Sequence, residues 1–160
     1  MTKAPDEEYV KCNIDAALFT DQGCFGVGMC LRNSRGRFIK ALSKWYDSIP
    51  TPLEAEALSL RDAIYWLGQL DLSKVHIELD CKLVVDSIVD RSINHSEFGY
   101  IMATCRAMLQ HFPNFKISFV RRQANFVTHI LARASKLHAC HQIFDLIPSC
   151  ITTIVRNEMI

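Results

Sequence analysis

At 160 residues, with 49% hydrophobic and 22% charged residues, the chain has enough apolar material for one packed domain and is too apolar to be disordered. The 18 basic and 17 acidic residues leave a formal net charge of +1, which excludes a general electrostatic funnel for nucleic acid, so any such contact depends on where charges sit in space. No apolar stretch approaches the ~20 residues that cross a bilayer, and the start MTKAPDEEY lacks a signal-peptide pattern. With seven dispersed cysteines and no CxxC pair, the expectation is a reduced intracellular protein, nuclear or cytoplasmic, without a membrane partner.

Three strands are expected first, over Tyr9 to Phe19, Gly26 to Leu31 and Arg37 to Lys44. Gly23, Gly26 and Gly28 suit a tight, close-packed connection, and Asn33-Ser34-Arg35-Gly36 suits a polar turn. The second and third strands are therefore expected as antiparallel neighbours of the first. A helix follows, with Thr51 as cap, Pro52 in its first turn and Glu54 completing a capping box. Leu53, Ala57, Leu60, Ile64 and Leu67 give it a buried stripe.

Val75, Ile77 and Leu79 then alternate with His76, Glu78 and Asp80, which predicts a short strand ending at Asp80 and crossing over to a helix across Leu83 to Val89. Ser96 starts a further helix with Phe98, Ile101, Met102, Cys105, Met108 and Leu109 on its apolar side, closed by Pro113. Phe115, Ile117 and Phe119 make the next strand, Arg121 to Ala124 a polar connection, and Asn125 to Leu137 a helix packed through Val127, Leu131, Ala134 and Leu137. The order predicts one mixed α/β domain over residues 9–140. Residues 141–160 read as an accessory segment, apolar from Ile143 to Val155 but interrupted by Pro148, either a packing helix or a surface for a protein partner.

Three acids stand where hydrophobic side chains are the rule: Asp15 in KCNIDAALF, Glu56 in PLEAEALSLRDAI and Asp80 in VHIELDCKLVVDSI. If strand, helix and strand end bring them together, they repel one another and are costly to desolvate, and a divalent cation relieves both penalties. Oxygen ligands suit Mg²⁺ or Mn²⁺, and a pair of ions could activate water and stabilise a leaving oxygen in phosphodiester cleavage. Each acid also has a structural reading: a turn or edge position for Asp15, an exposed helix former for Glu56, and a helix cap for Asp80. Cys81 reads as a buried or capping residue rather than a ligand, and Trp45 and Trp66 as packing residues.

The succession KCNIDAA, PLEAEALSLRDAI, HIELDCKLVVDSI and VRRQANFVTHILARAS, from about Lys11 to Ser135, resembles the ribonuclease H-like superfamily, in particular its plant reverse-transcriptase-like, retroelement-type branch. The resemblance implies a five-stranded mixed sheet flanked by helices and nucleic-acid substrates. In active members it implies cleavage of the RNA strand of RNA–DNA hybrids with two metal ions. Asp15 matches the acid of the family's first strand, Glu56 that of its first helix and Asp80 that ending its fourth strand. In Asn125-Phe126-Val127-Thr128-His129-Ile130-Leu131-Ala132, His129 stands where many active members have aspartate.

The expected catalytic and metal set is therefore Asp15, Glu56, Asp80 and His129, with Mg²⁺ or Mn²⁺ as cofactor. Histidine can bind Mn²⁺ or assist proton transfer but adds no negative charge for Mg²⁺. Arg121, Arg122, Arg133 and Lys82 are candidate phosphate contacts, Lys44 a weaker one, and Asn13, Ser87 and Asn125 candidate polar contacts to an RNA–DNA hybrid or other nucleic acid. An ordinary charged surface competes with each. The expected activity is endonucleolytic hybrid cleavage, and the alternative is a catalytically weak or inactive nucleic-acid or protein interaction module.

Overall fold

Alternation along the first strand sorts its side chains into two layers. Cys12, Ile14 and Ala16 join the main hydrophobic core, while Asn13, Asp15 and Ala17 point to the opposite face. A computed structural model describes residues 9–138 and 142–148. Its elements are β1 (Val10–Phe19), β2 (Cys24–Arg32), β3 (Phe38–Tyr46), α1 (Pro52–Gln69), β4 (Val75–Leu79), α2 (Lys82–Val89), α3 (Glu97–Leu109), β5 (Phe115–Phe119), α4 (Phe126–His138) and β6 (Gln142–Phe144).

The strands form one mixed sheet in the order β5-β4-β1-β2-β3-β6. β1, β2 and β3 are successive antiparallel neighbours, and β4 runs parallel to both β1 and β5. Two expectations change here. β3 pairs with β2 and not with β1, because the other edge of β1 is taken by β4 after the α1 crossover. The sheet has six strands rather than five, because Gln142–Phe144 adds an antiparallel edge to β3 through Ala41 to Ser43. The rest of the expected accessory segment lies largely outside the described residues.

Helix α1 follows its sequence signals. The Thr51 hydroxyl accepts from the Glu54 amide at 3.2 Å, and the Glu54 carboxylate accepts from the Thr51 amide at 3.2 Å. Ala57, Leu60, Ile64 and Leu67 are fully buried on the side of α1 that packs against β1 and α3, each large side chain contributing roughly 1.5–3 kcal/mol. A second tie is less legible: Asp62 is buried, and its Oδ2 accepts from the Tyr46 hydroxyl at the end of β3. Burial, and then this contact, hold the Tyr46 phenol well above its ordinary range.

The opposite face of the sheet is covered by α4, which packs Val127 and Leu131 against Cys30 and Ala41, and Ala132 against Ala17 and Cys24. The approach is close because β2 carries glycines there. Gly26 and Gly28 lie in the strand, as expected from its span over Gly26 to Leu31, and sit under α4; of the three glycines Gly23, at φ 65°, makes the connection. A Cβ on Gly28 would lie 2.5 Å from both the Ala132 amide nitrogen and the Thr128 carbonyl oxygen.

Gly28→Ala therefore forces α4 away from the sheet. A loss of about 1–3 kcal/mol is expected, read as a lower urea midpoint with an unchanged slope.

Candidate metal centre

Parallel pairing of β1 with β4 sets Asn13 opposite Glu78. Two residues further along stand Asp15, still within β1, and Asp80, immediately after the end of β4. Glu56 joins them from α1, where it precedes the core residue Ala57 by about 100° of helical rotation and so lies at the border of the buried stripe. The three carboxylates each offer an oxygen within 4.8 Å of the others. Asp15 is fully buried, and Glu56 and Asp80 are partly so.

Helix α4 and the short 3-10 turn before it, Arg122–Asn125, supply the surrounding basic residues. His129 Nδ1 lies 2.8 Å from Asp15 Oδ2 and, protonated at that nitrogen, donates to it. It stands beside the three-carboxylate cluster rather than within it. Arg122 Nε lies 3.4 Å from Asp80 Oδ2. Glu56, Asp80, His129, Arg122 and Arg133 line one open depression of about 540 Å³, with Ala16 to Leu18, Pro52, Leu53 and Cys81 completing its wall and Asp15 buried behind it. Cys81 occupies the cap position of α2, without a capping hydrogen bond from its side chain. Asp80 precedes that position.

Other expected contacts sit elsewhere. Asn13 and Asn125 are 4% and 1% exposed, too enclosed to meet a nucleic acid. Asn13 Nδ2 donates to Glu78 Oε2 at 3.1 Å and Asn125 Oδ1 at 3.2 Å, while Asn125 Nδ2 donates to the Ile14 carbonyl at 2.6 Å. They fasten α4 to β1 directly below Asp15. Ser87 does not line the acidic depression; its hydroxyl donates to the Leu83 carbonyl at 2.8 Å. Lys82 is exposed and paired with Asp86 at 3.0 Å, and Arg121 is exposed outside the lining. Glu78, which joins Lys11 at 3.0 Å to the Asn13 network, was not singled out in the sequence. Its signal was its place two residues before Asp80.

The sequence profile of the reverse transcriptase-like family matches residues 13–135. The chain belongs to that family. A putative ribonuclease H protein of Arabidopsis thaliana is 24% identical to this reverse transcriptase-like chain over 156 residues, 97% of the chain and 25% of that protein. The chain thus spans about a quarter of that relative's length. RNase H1 of Halobacterium salinarum superposes with a TM-score of 0.73 at 20% identity, covering 82% of this chain and 99% of that one. LC11-RNase H1 from compost, in complex with an RNA/DNA hybrid, gives 0.71 at 18% identity, covering 81% and 98%. The fold is that of the ribonuclease H domains, with β6 as a sixth strand.

In this reverse transcriptase-like domain the site is electrostatically unsatisfied. Burial pushes the Glu56 carboxyl up to about 9, helped by the negative charges of Asp15 and Asp80. Asp15 is raised by burial and then by Asp80, while the hydrogen bond and charge of His129 pull it back down. Among the described residues neither Asp15 Oδ1 nor Glu56 Oε2 has a hydrogen-bond partner, and the nearby Ala16 amide lowers the two carboxyls only as the smallest of the effects on them. Acceptors that face each other without a donor need either a proton on one of them or a cation between them. The three hard oxygen donors fit Mg²⁺ or Mn²⁺.

A carboxyl raised from 4.5 unfolded to about 9 folded keeps its proton longer in the native state, so its contribution to stability is full below about pH 4.5 and is lost as pH rises toward 9. In chelator, the melting temperature is expected to fall across that window. Glu56→Gln removes most of the fall and melts on the order of 5 °C above the parent at pH 8; Mg²⁺ raises the parent more than the variant. A melting temperature of the parent that stays flat from pH 5 to 9 in chelator would contradict the burial of an ionisable Glu56.

Proposed function

We propose that this domain binds an RNA–DNA hybrid and hydrolyses its RNA strand with a divalent cation held by Asp15, Glu56 and Asp80. The observation that carries this reading is the pair of buried oxygens without a hydrogen-bond partner among the described residues, Asp15 Oδ1 and Glu56 Oε2, beside Asp80 at the mouth of an open depression. Its support at family level comes from the ribonuclease H likenesses, among them a structure that holds an RNA/DNA hybrid. When bound, the cation supplies Lewis-acid stabilisation of the phosphodiester and lowers the pKa of a coordinated water. In net terms, the oxygen of a water molecule joins the phosphorus, one P–O ester bond breaks, and the departing oxygen takes up a proton.

The chain's own groups do the positioning. Asp15 is fixed by the β1–β4 pairing and by His129. Arg122 and Arg133 stand on the rim of the depression, where they can meet phosphates without reading bases. His129 serves as an auxiliary residue that orients Asp15.

A second reading, a binding module with weak or no catalysis, draws on one observation. His129 and Arg122 place two cationic or neutral groups on carboxylate oxygens and add no fourth acid, which weakens the pull on a cation.

Labelled RNA–DNA, RNA–RNA and DNA–DNA duplexes incubated with Mg²⁺ or Mn²⁺ separate the two. Cleavage of the hybrid alone is expected, lost about 100-fold or more in Glu56→Gln, given several kcal/mol of metal stabilisation. Hybrid binding without cleavage under either ion favours the module. Arg133→Ala is expected to weaken hybrid binding and reduce the slope of log affinity against log salt by about 1, whereas an unaltered slope would remove Arg133 from the phosphate path.

A further inference from the structure

The groups that counter the three acids occupy particular oxygens. Asp15 Oδ2 is taken by His129 Nδ1 at 2.8 Å, and Asp80 Oδ2 faces Arg122 Nε at 3.4 Å. Asp15 Oδ1 and Glu56 Oε2 have no hydrogen-bond partner among the described residues. One oxygen of Asp15 thus already makes a hydrogen bond and one oxygen of Asp80 lies in an ion pair, while the three acids together form one cluster.

We infer that this centre takes one divalent cation, held by Asp15, Glu56 and Asp80, and that His129 and Arg122 hold the carboxylate oxygens a second cation would need. The inference rests on the metal reading above and departs from the two-ion expectation of the sequence. Two ions roughly 3.5–4 Å apart call for more open ligand oxygens than a single ion does. Asp15 is the most enclosed of the three, at 0% exposure, and its second oxygen is engaged from α4.

Charge balance points the same way. Three ionised carboxylates are neutralised by one divalent ion together with the Arg122 guanidinium, which is always charged. A second ion leaves two positive charges in excess, and a single phosphodiester offsets only one of them. Neutral His129 adds no charge, and protonated His129 increases the excess. Arg122 is 71% exposed and sits on the rim, so its fixed charge lies beside Asp80 where a second ion would otherwise supply it.

The test is a count of bound metal on the whole chain. The protein, saturated with a hybrid whose RNA strand is 2′-O-methylated to prevent cleavage, is titrated with Mn²⁺ and followed by equilibrium dialysis and electron paramagnetic resonance. One equivalent with the spectrum of an isolated Mn²⁺ is expected. The double variant Arg122→Ala/His129→Asp, which opens both oxygens and restores an acid, is expected to rise to two equivalents with Mn–Mn coupling. Two coupled equivalents in the parent overturn the inference and leave the metal reading standing. The absence of saturable Mn²⁺ binding overturns both. A double variant that folds and stays at one equivalent removes His129 and Arg122 as the cause; should it not fold, the count on the parent decides.

Discussion

The parallel pairing of β1 with β4 is the constraint from which the rest of the site follows. Because the two strands run the same way and Asn13 meets Glu78, the residues two further along, Asp15 and Asp80, are carried to the same sheet end. Parallel neighbours cannot be joined by a hairpin, so the chain between them must cross over the sheet, and the crossover here is α1. That helix brings Glu56 with it. Three acids that the sequence separates widely are thus assembled by one pairing and the connection it requires, without a dedicated loop.

Holding those acids together costs stability, and the surrounding structure offsets it in identifiable places. From exposed Lys11 a polar chain runs inward through buried Glu78, Asn13 and Asn125 and ends on the Ile14 carbonyl. Its members satisfy one another, so it fixes the position of α4 without leaving a charge unpaired. Gly26 and Gly28 let the same helix rest on β2 at backbone contact. The consequence reaches the chemistry: the seating of α4 sets where His129 meets Asp15, and the turn at its start sets where Arg122 meets Asp80. Positioning of the cations is therefore a product of packing rather than of the acids' own attraction.

Local signals were legible in the sequence wherever the cause was local. The capping box at Thr51 and Glu54, the Asn33 turn and the cap at Ser96 appear as read, because each depends on residues within a few positions. The acidic trio was legible because carboxylates in apolar surroundings conflict with burial unless something compensates. What failed depended on partners distant in sequence. The alternation of β1 gave Asn13 a face but not the helix that covers it, so a buried tether read as a surface contact. Gly26 and Gly28 were read in the second strand and as suited to close packing, but the backbone of α4, a hundred residues on, was the missing neighbour. β6 escaped notice because three residues gain strand character only from an edge that another segment provides.

The histidine at position 129 shifts a balance that any such centre must strike. A fourth carboxylate would raise the attraction for a cation and, in its absence, the repulsion inside the fold. His129 does the reverse, since its bond to Asp15 lowers the cost of keeping that carboxylate ionised in a buried site. Arg122 adds a charge that does not depend on pH. The domain consequently tolerates the metal-free state better than a four-acid centre would, while Glu56, which has no such partner, carries most of the remaining strain. Metal-free stability is therefore a balance struck inside one cluster, lowered by Glu56 and spared at Asp15 by His129.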